Sequence, residues 1–416
     1  MFLAGTILLI AYILIAIEKI PKVTVAMLGA AITLALGVVD PEHVFNYIDF
    51  KVIFLLVSMM IIVHIAARSG LFNLLAVKIL KLTKGHPVRI FVSMALLTAV
   101  FSAFLDNVTT VILVLPITLV IARELKIDPI PFLITEILAS NIGGTATLIG
   151  DPPNIIIGSA AGFSFMDFVK ELTPVITLIF TVSVAILAFL FRKDLVSTPE
   201  LMQQVASIDG SKSIKDRALM IRSSIVLILV ILGFVSYDLI HIDAYIIALL
   251  GASILMLFET PRQVIQDVEW TTIFFFIGLF IIIGGFIETG GIKFLADYVL
   301  KVTNGNLKYT AMFVLWASGI LSAIVDNIPY TVTMTPLIKS LSSSMNVHPL
   351  WWSLSLGACL GGNATIIGAA ANVIISETAE ASGHPISFFR FLKYGLLITL
   401  ISLLISSVYL YFRFLV

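Results

Sequence analysis

Hydrophobic residues along this chain fall in helix-length runs rather than in alternation. Ten runs stand out, at about 2–18, 22–39, 51–68, 130–160, 172–191, 220–238, 243–258, 270–288, 350–376 and 394–412. Most match the roughly 17–25 residues an α-helix needs to cross a hydrocarbon core, whereas barrel strands would alternate over about ten. Only helices and closed barrels satisfy their backbones in lipid, so the pattern predicts an all-α integral membrane protein. Two more apolar stretches of about 35 residues, 88–122 and 308–342, each hold an acid, an amide and a proline near the middle. These are poor companions for a straight helix in lipid. Each stretch reads as a re-entrant helical hairpin turning at its Asp-Asn tip.

The pattern occurs twice. FSAFLDNVTTVILVLPI at 101–117 returns as LSAIVDNIPYTVTMTPLI at 321–338, and SNIGGTATLIGDPPN at 140–154 returns as CLGGNATIIGAAAN at 359–372. The register extends further, because 49–80 aligns with 269–300 and SFMDFVK at 164 with SFFRFLK at 387. The predicted organisation is a first repeat at 1–192, a solvated cytoplasmic linker at 193–219 and a second repeat at 220–416. Each repeat has five transmembrane spans and one hairpin. If the hairpins do not cross, one side of the membrane keeps only Lys51, Lys170, Lys293, Lys301, Lys308, Lys339 and Arg413 of the 25 lysines and arginines. The other side is then cytoplasmic, both termini are extracytoplasmic, and an odd number of spans inverts the second repeat relative to the first. After the third span of each half comes an amphipathic stretch, 71–84 and 292–301, suited to the membrane interface as a hinged arm or a passive linker.

The tips and the glycine clusters carry the candidate chemistry. A lone carboxylate in lipid costs several kcal/mol, so the duplicated Asp106 and Asp326 mark a functional site. They are candidates to bind Na+, to exchange a proton, or to cap the inner helices of the hairpins. Asn107 and Asn327 suit capping, and Thr109 flanks the first tip as a hydrogen-bond donor. In the first glycine cluster, Gly143 and Gly144 weaken a helix that Asn141, Thr145, Thr147 and Asn154 make polar, and Pro152 and Pro153 remove two donors. The second cluster keeps Gly361, Gly362, Asn363, Thr365 and Asn372 but replaces Asp151-Pro-Pro with three alanines. Both predict discontinuous helices whose ends and unwound carbonyls face an ion or substrate. Possible Na+ ligands are Asp106, Asn107, Gly144, Asp326, Asn327 and Gly362. Asp151, present once, makes the site asymmetric. Glu136, one turn before Asn141, is a candidate proton relay or a paired acid.

Composition narrows the classes. Hydrophobic residues make up 59% of the 416 and charged ones 12%, against about 25% charged in ordinary globular domains. Net charge is zero, and no basic run interleaves with aromatics, which disfavours nucleic acid. The one cysteine, Cys359, forms no internal disulfide and reads as a small packing residue. The first run lacks a basic flank and a cleavage site, which predicts a retained helix. No His-x-x-x-His, cysteine pair or carboxylate cluster signals a metal enzyme, so no enzymatic activity and no resident cofactor are expected. An intramembrane aspartyl protease would also place two acids in lipid, but equivalent acids before asparagine lack catalytic asymmetry.

The two Asp-Asn hairpins with SNIGGTATLIGDPPN and GACLGGNATIIGAAANV resemble the ion transporter superfamily over nearly the whole chain. The likeness is strongest to the branch holding the pigmentation P protein and the arsenite-efflux permeases, and weaker to the citrate and divalent-anion/sodium symporters. It implies an inverted-repeat fold with scaffold and transport domains, elevator-type alternating access, and a homodimer. Where those symporters carry Ser-Asn-Thr at the tips, this chain has Asp106-Asn107-Val108 and Asp326-Asn327-Ile328. That departure favours an exchangeable proton over dicarboxylate specificity. The expectation is a secondary active transporter of the cell (inner or plasma) membrane for a small ion, arsenite-like oxyanions first, coupled to Na+ or H+. A Na+/H+ antiporter, a citrate or dicarboxylate symporter and an anion channel are the alternatives.

Overall fold

The computed structural model describes residues 1–17, 19–206 and 214–416. All regular structure among them is helical. The first half runs through α1 (Phe2–Ile17), α2 (Lys22–Ala35), α3 (Phe50–Arg68), α4 (Leu71–Leu82), α5 (Pro87–Phe104), α6 (Asn107–Leu125), α7 (Ile130–Gly144), α8 (Pro152–Ala161), α9 (Phe165–Glu171) and α10 (Thr173–Leu190). After α11 (Pro199–Ala206) come α12 (Arg217–Val235), α13 (Tyr237–Ile240), α14 (Ala244–Met256), α15 (Pro261–Gln266), α16 (Trp270–Glu288), α17 (Gly291–Val302), α18 (Leu307–Ser322), α19 (Asn327–Leu341), α20 (His348–Gly361), α21 (Ala370–Ala381) and α22 (Phe388–Leu410). The element order of the first half therefore recurs in the second. Among the described residues, seven helices are long and apolar enough to cross a membrane by length and composition: α3, α5, α6, α10, α12, α16 and α22 with the turn that follows it.

Two helix groups form. In one, α2 packs on α1 and α16, α3 on α12 and α14, and α16 on α3. In the other, α5 lies along α7 and α18 along α20, while α10 and α22 pack together outside them. Each hairpin is closed by a few residues, Leu105 and Asp106 in the first. Asp106 and Asp326 cap the helices they begin, accepting the Thr109 amide at 2.8 Å and the Ile328 amide at 3.0 Å. Both second legs contain a proline, Pro116 and Pro336, that removes one ladder bond. Gly70 and Gly290 adopt left-handed conformations, φ 90° and 77°, and turn the chain into the amphipathic α4 and α17. A side chain at either position would be strained.

The halves differ where sequence chemistry differs. Pro174 has no amide hydrogen, so the first half restarts as α10 after Leu172, whereas Leu397 occupies the matching place in the uninterrupted α22. The linker corrects an expectation, because part of it is not a solvated connector. Pro199–Ala206 is helical, packs on α4 and α6, and buries Val205 completely. A side chain on Gly85 would meet the Met202 carbonyl at 1.9 Å, so the linker lies directly on the turn that enters the first hairpin. Lys212 of the linker lies outside the described residues.

Candidate functional site

The broken helices form the centre of the molecule. Every residue of α7 is buried, as are all but His348 in α20. Close crossing requires glycine: a Cβ on Gly143 would lie 2.2 Å from the Ala99 carbonyl oxygen of α5, and one on Gly361 2.5 Å from that of Gly319 in α18. Beyond these crossings the helices unwind, over residues 145–151 and 362–369, before α8 and α21 begin. Two asparagines hold the unwound carbonyls. The Asn154 amide donates to the Thr145 and Thr147 carbonyls at 3.1 and 2.8 Å, and the Asn372 amide to those of Gly362 and Thr365 at 2.7 and 2.8 Å. Thr147 and Thr365 tie each break to its hairpin through the carbonyls of Ala103 and Ala323. Each tip is thereby fixed at the level of the break beside it.

One polar network joins the halves. Asn107 of the first tip donates to Asn141 at 3.2 Å and to Asp151 at 3.4 Å. Asn327 of the second tip donates to both oxygens of Asp151, at 3.3 and 3.2 Å. Asn141 in turn donates to Asn363 and Asn372, each at 2.9 Å. Asp151 precedes α8 without capping it; its carboxylate is wholly buried and turned to the tips. Beside it lies a cavity of about 40 Å³, lined by Asp106, Asn107, Asp151, Glu269, Lys22 and Asn327 among others. That is room for a few waters or one ion.

Several expected residues meet there and others do not. Gly144 and Gly362 are turned into their own breaks, toward the Gly150 and Gly368 carbonyls. Thr145 bonds the Asn141 carbonyl at 2.7 Å, and Thr109 donates its hydroxyl to Asp106 at 2.6 Å. Asn154 accepts from Ser355 at 2.6 Å and from Cys359 at 3.7 Å, which makes that cysteine part of the packed core. Glu136 lies apart on α7, buried, with one oxygen accepting from Thr118 at 2.5 Å. Among the described residues no three His, Cys, Asp or Glu side chains group as metal ligands. The carboxylates at the cavity stand singly, each at the start of a helix: Asp106 before α6, Asp151 before α8, Glu269 before α16. Helix N-termini carry about half a positive charge, which lowers the cost of holding these acids ionised in one place.

Residues 12–357 match the citrate transporter family. The chain belongs to the citrate transporter family. It is a membrane transporter rather than an enzyme, and its substrate is a small molecule or ion. Among its relatives are a 46 kDa membrane protein of Mycobacterium leprae, 42% identical over 100% of this chain and 99% of the relative. An uncharacterized transporter of Mycobacterium bovis is also 42% identical, over 99% and 98%. The P protein of Mus musculus is 31% identical over 96% of this chain and 58% of its own length. In fold, the chain is similar to the YdaH transporter of Alcanivorax borkumensis, with a TM-score of 0.60 over 93% of this chain and 95% of that one at 14% identity.

Two residues of this transporter's cavity escaped the sequence reading. Lys22 begins α2 and forms an ion pair with Asp326 at 2.7 Å. Glu269 precedes α16 and accepts from Thr272 at 3.2 Å. Both sit at span ends, where charge reads as ordinary membrane-interface decoration. The available signals were a cation in the first turn of a helix, where the dipole disfavours it, and an acid that matches Asp49 in the repeat.

Proposed function

We propose that the protein is a secondary active transporter whose coupling ion, Na+ or H+, binds at Asp151 between the two hairpin tips. The observation that carries this reading is Asp151 itself: fully buried, held by one neutral asparagine amide from each tip. Amides donate hydrogen bonds but supply no compensating charge, and an ionised carboxylate so placed costs several kcal/mol. A proton or Na+ removes that cost. Because Asp106 and Glu269 line the same cavity, ion exchange of the Na+/H+ antiport type is the first reading.

A small oxyanion is the second reading, favoured by Lys22 and by the helix N-termini that open on the cavity. The family's name suggests citrate, but about 40 Å³ lined by three carboxylates is a poor receptacle for a tricarboxylate. The two repeats are proposed to be inverted, with both termini extracytoplasmic in a cell-membrane homodimer. The group containing the hairpins would slide as an elevator against the group containing α2, α3, α14 and α16.

The test is purified protein in liposomes under imposed Na+ and pH gradients, with arsenite, citrate, sulfate and chloride offered in turn. Asp151→Asn is expected to abolish coupled flux while the protein stays folded. Wild-type coupling in that variant would remove Asp151 from the mechanism.

A further inference from the structure

We propose that Lys22 is a tethered counter-ion: its ammonium group fills the cation position at the second hairpin tip, leaving one exchangeable cation per chain, at Asp151 and the first tip. The inference rests on the cation-coupled reading above and adds the number of ions to it.

The two tips have the same Asp-Asn motif but differ three residues after the aspartate, at Thr109 and Pro329. Asp106 is satisfied within its own hairpin, because Thr109 gives its amide at 2.8 Å and its hydroxyl at 2.6 Å. At the matching place the second tip has Pro329, which has neither an amide hydrogen nor a hydroxyl. Asp326 therefore keeps only the Ile328 amide, at 3.0 Å, for one oxygen. Its other oxygen takes Lys22 at 2.7 Å, with the Asp326 side chain 9% exposed. The proline removes two donors, and the lysine replaces them with a full charge.

That lysine comes from elsewhere in the fold. It is the first residue of α2, which packs on α1 and α16 and not within the hairpin group. Nothing in α2 favours it there, since a cation at a helix N-terminus opposes the dipole. Aligning Gly29 with Gly251 places Ala244 opposite Lys22, so the first tip inherits no equivalent. The ammonium, on a side chain 35% exposed, also sits 5.3 Å from the Phe275 ring centre, a cation–π contact that adds to the ion pair. Asp106 has no ion-pair partner among the described residues, so its side of the cavity is the one open to an exchangeable ion.

The experiment measures flux in liposomes against Na+ concentration at fixed pH, and against pH at fixed Na+. Wild type is expected to depend on the first power of the coupling cation. Lys22→Gln is expected to steepen this toward the second power, because Asp326 then needs an ion of its own, while Lys22→Arg keeps the first power. First-power dependence at an unchanged maximal rate in Lys22→Gln overturns the proposal, as does second-power dependence in wild type. If Lys22→Gln does not fold, Lys22→Gln with Asp326→Asn removes both charges and decides: first-power dependence supports the proposal, and second-power dependence overturns it. Asp151→Asn is run beside them. If it stays coupled, the cation-site reading fails; if it is inactive while Lys22→Gln behaves as wild type, only the tethered counter-ion fails.

Discussion

The two breaks in the central helices are built alike and equipped differently. Each crosses a hairpin leg at a glycine, each is held by an asparagine that reaches back to two carbonyls, and each is fastened to its hairpin by a threonine. Yet the first break ends in Asp151 and the second in Ala369. Geometry is thus duplicated while charge is not. Under the proposed function, the symmetric frame would present the same cavity to two sides in turn, and the single acid would bind the coupling ion in both. Two buried acids at matching positions would repel one another and raise the cost of the unloaded state.

The largest effect is expected from moving the acid. Asp151→Ala combined with Ala369→Asp is expected to reduce coupled flux in liposomes below detection, because both tip amides aim at residue 151. Full activity in the exchanged protein would mean that either break can hold the charge. The packing half of the comparison is tested by Gly143→Val and Gly361→Val, each expected to cost about 3 kcal/mol or to prevent folding, read as melting temperature in detergent. A large loss in one copy and none in the other would contradict the shared crossing geometry. Asn154→Ala and Asn372→Ala leave buried carbonyls unpaired and should each cost about 1–3 kcal/mol. The smallest effect belongs to the cap that follows each break. Ser164 forms a reciprocal capping box with Asp167, whereas Ser387 only caps the Arg390 amide. Ser164→Ala is expected to cost about 1 kcal/mol and Ser387→Ala no more, by the same melting measurement.

Much of this architecture was legible because lipid enforces it. Runs of apolar residues located α3, α10, α12 and α16 within a few residues, and the Asp-Asn pairs located both hairpin turns. The glycine clusters located both breaks, since a helix crossing another at backbone distance has no alternative residue. What stayed hidden depends on meetings between distant segments. Lys22 pairs with Asp326, and Tyr12 donates to the Pro329 carbonyl, across more than 300 residues of chain. No local pattern encodes such a meeting. Helix α11 was missed for a different reason: it is only two turns long, and its short apolar face of Leu201, Met202 and Val205 turns toward α4 and α6 inside a polar stretch.

Asn141 has a consequence for how the protein is made. Among the described residues its amide donates only to Asn363 and Asn372, the latter 231 residues further along. At ordinary rates of synthesis the first half waits roughly ten to fifty seconds in the membrane with that amide unmatched. The nascent chain therefore inserts its spans long before it can close its centre. The finished protein is a product of late docking between halves, and separately expressed halves should reassemble when made in the same cell.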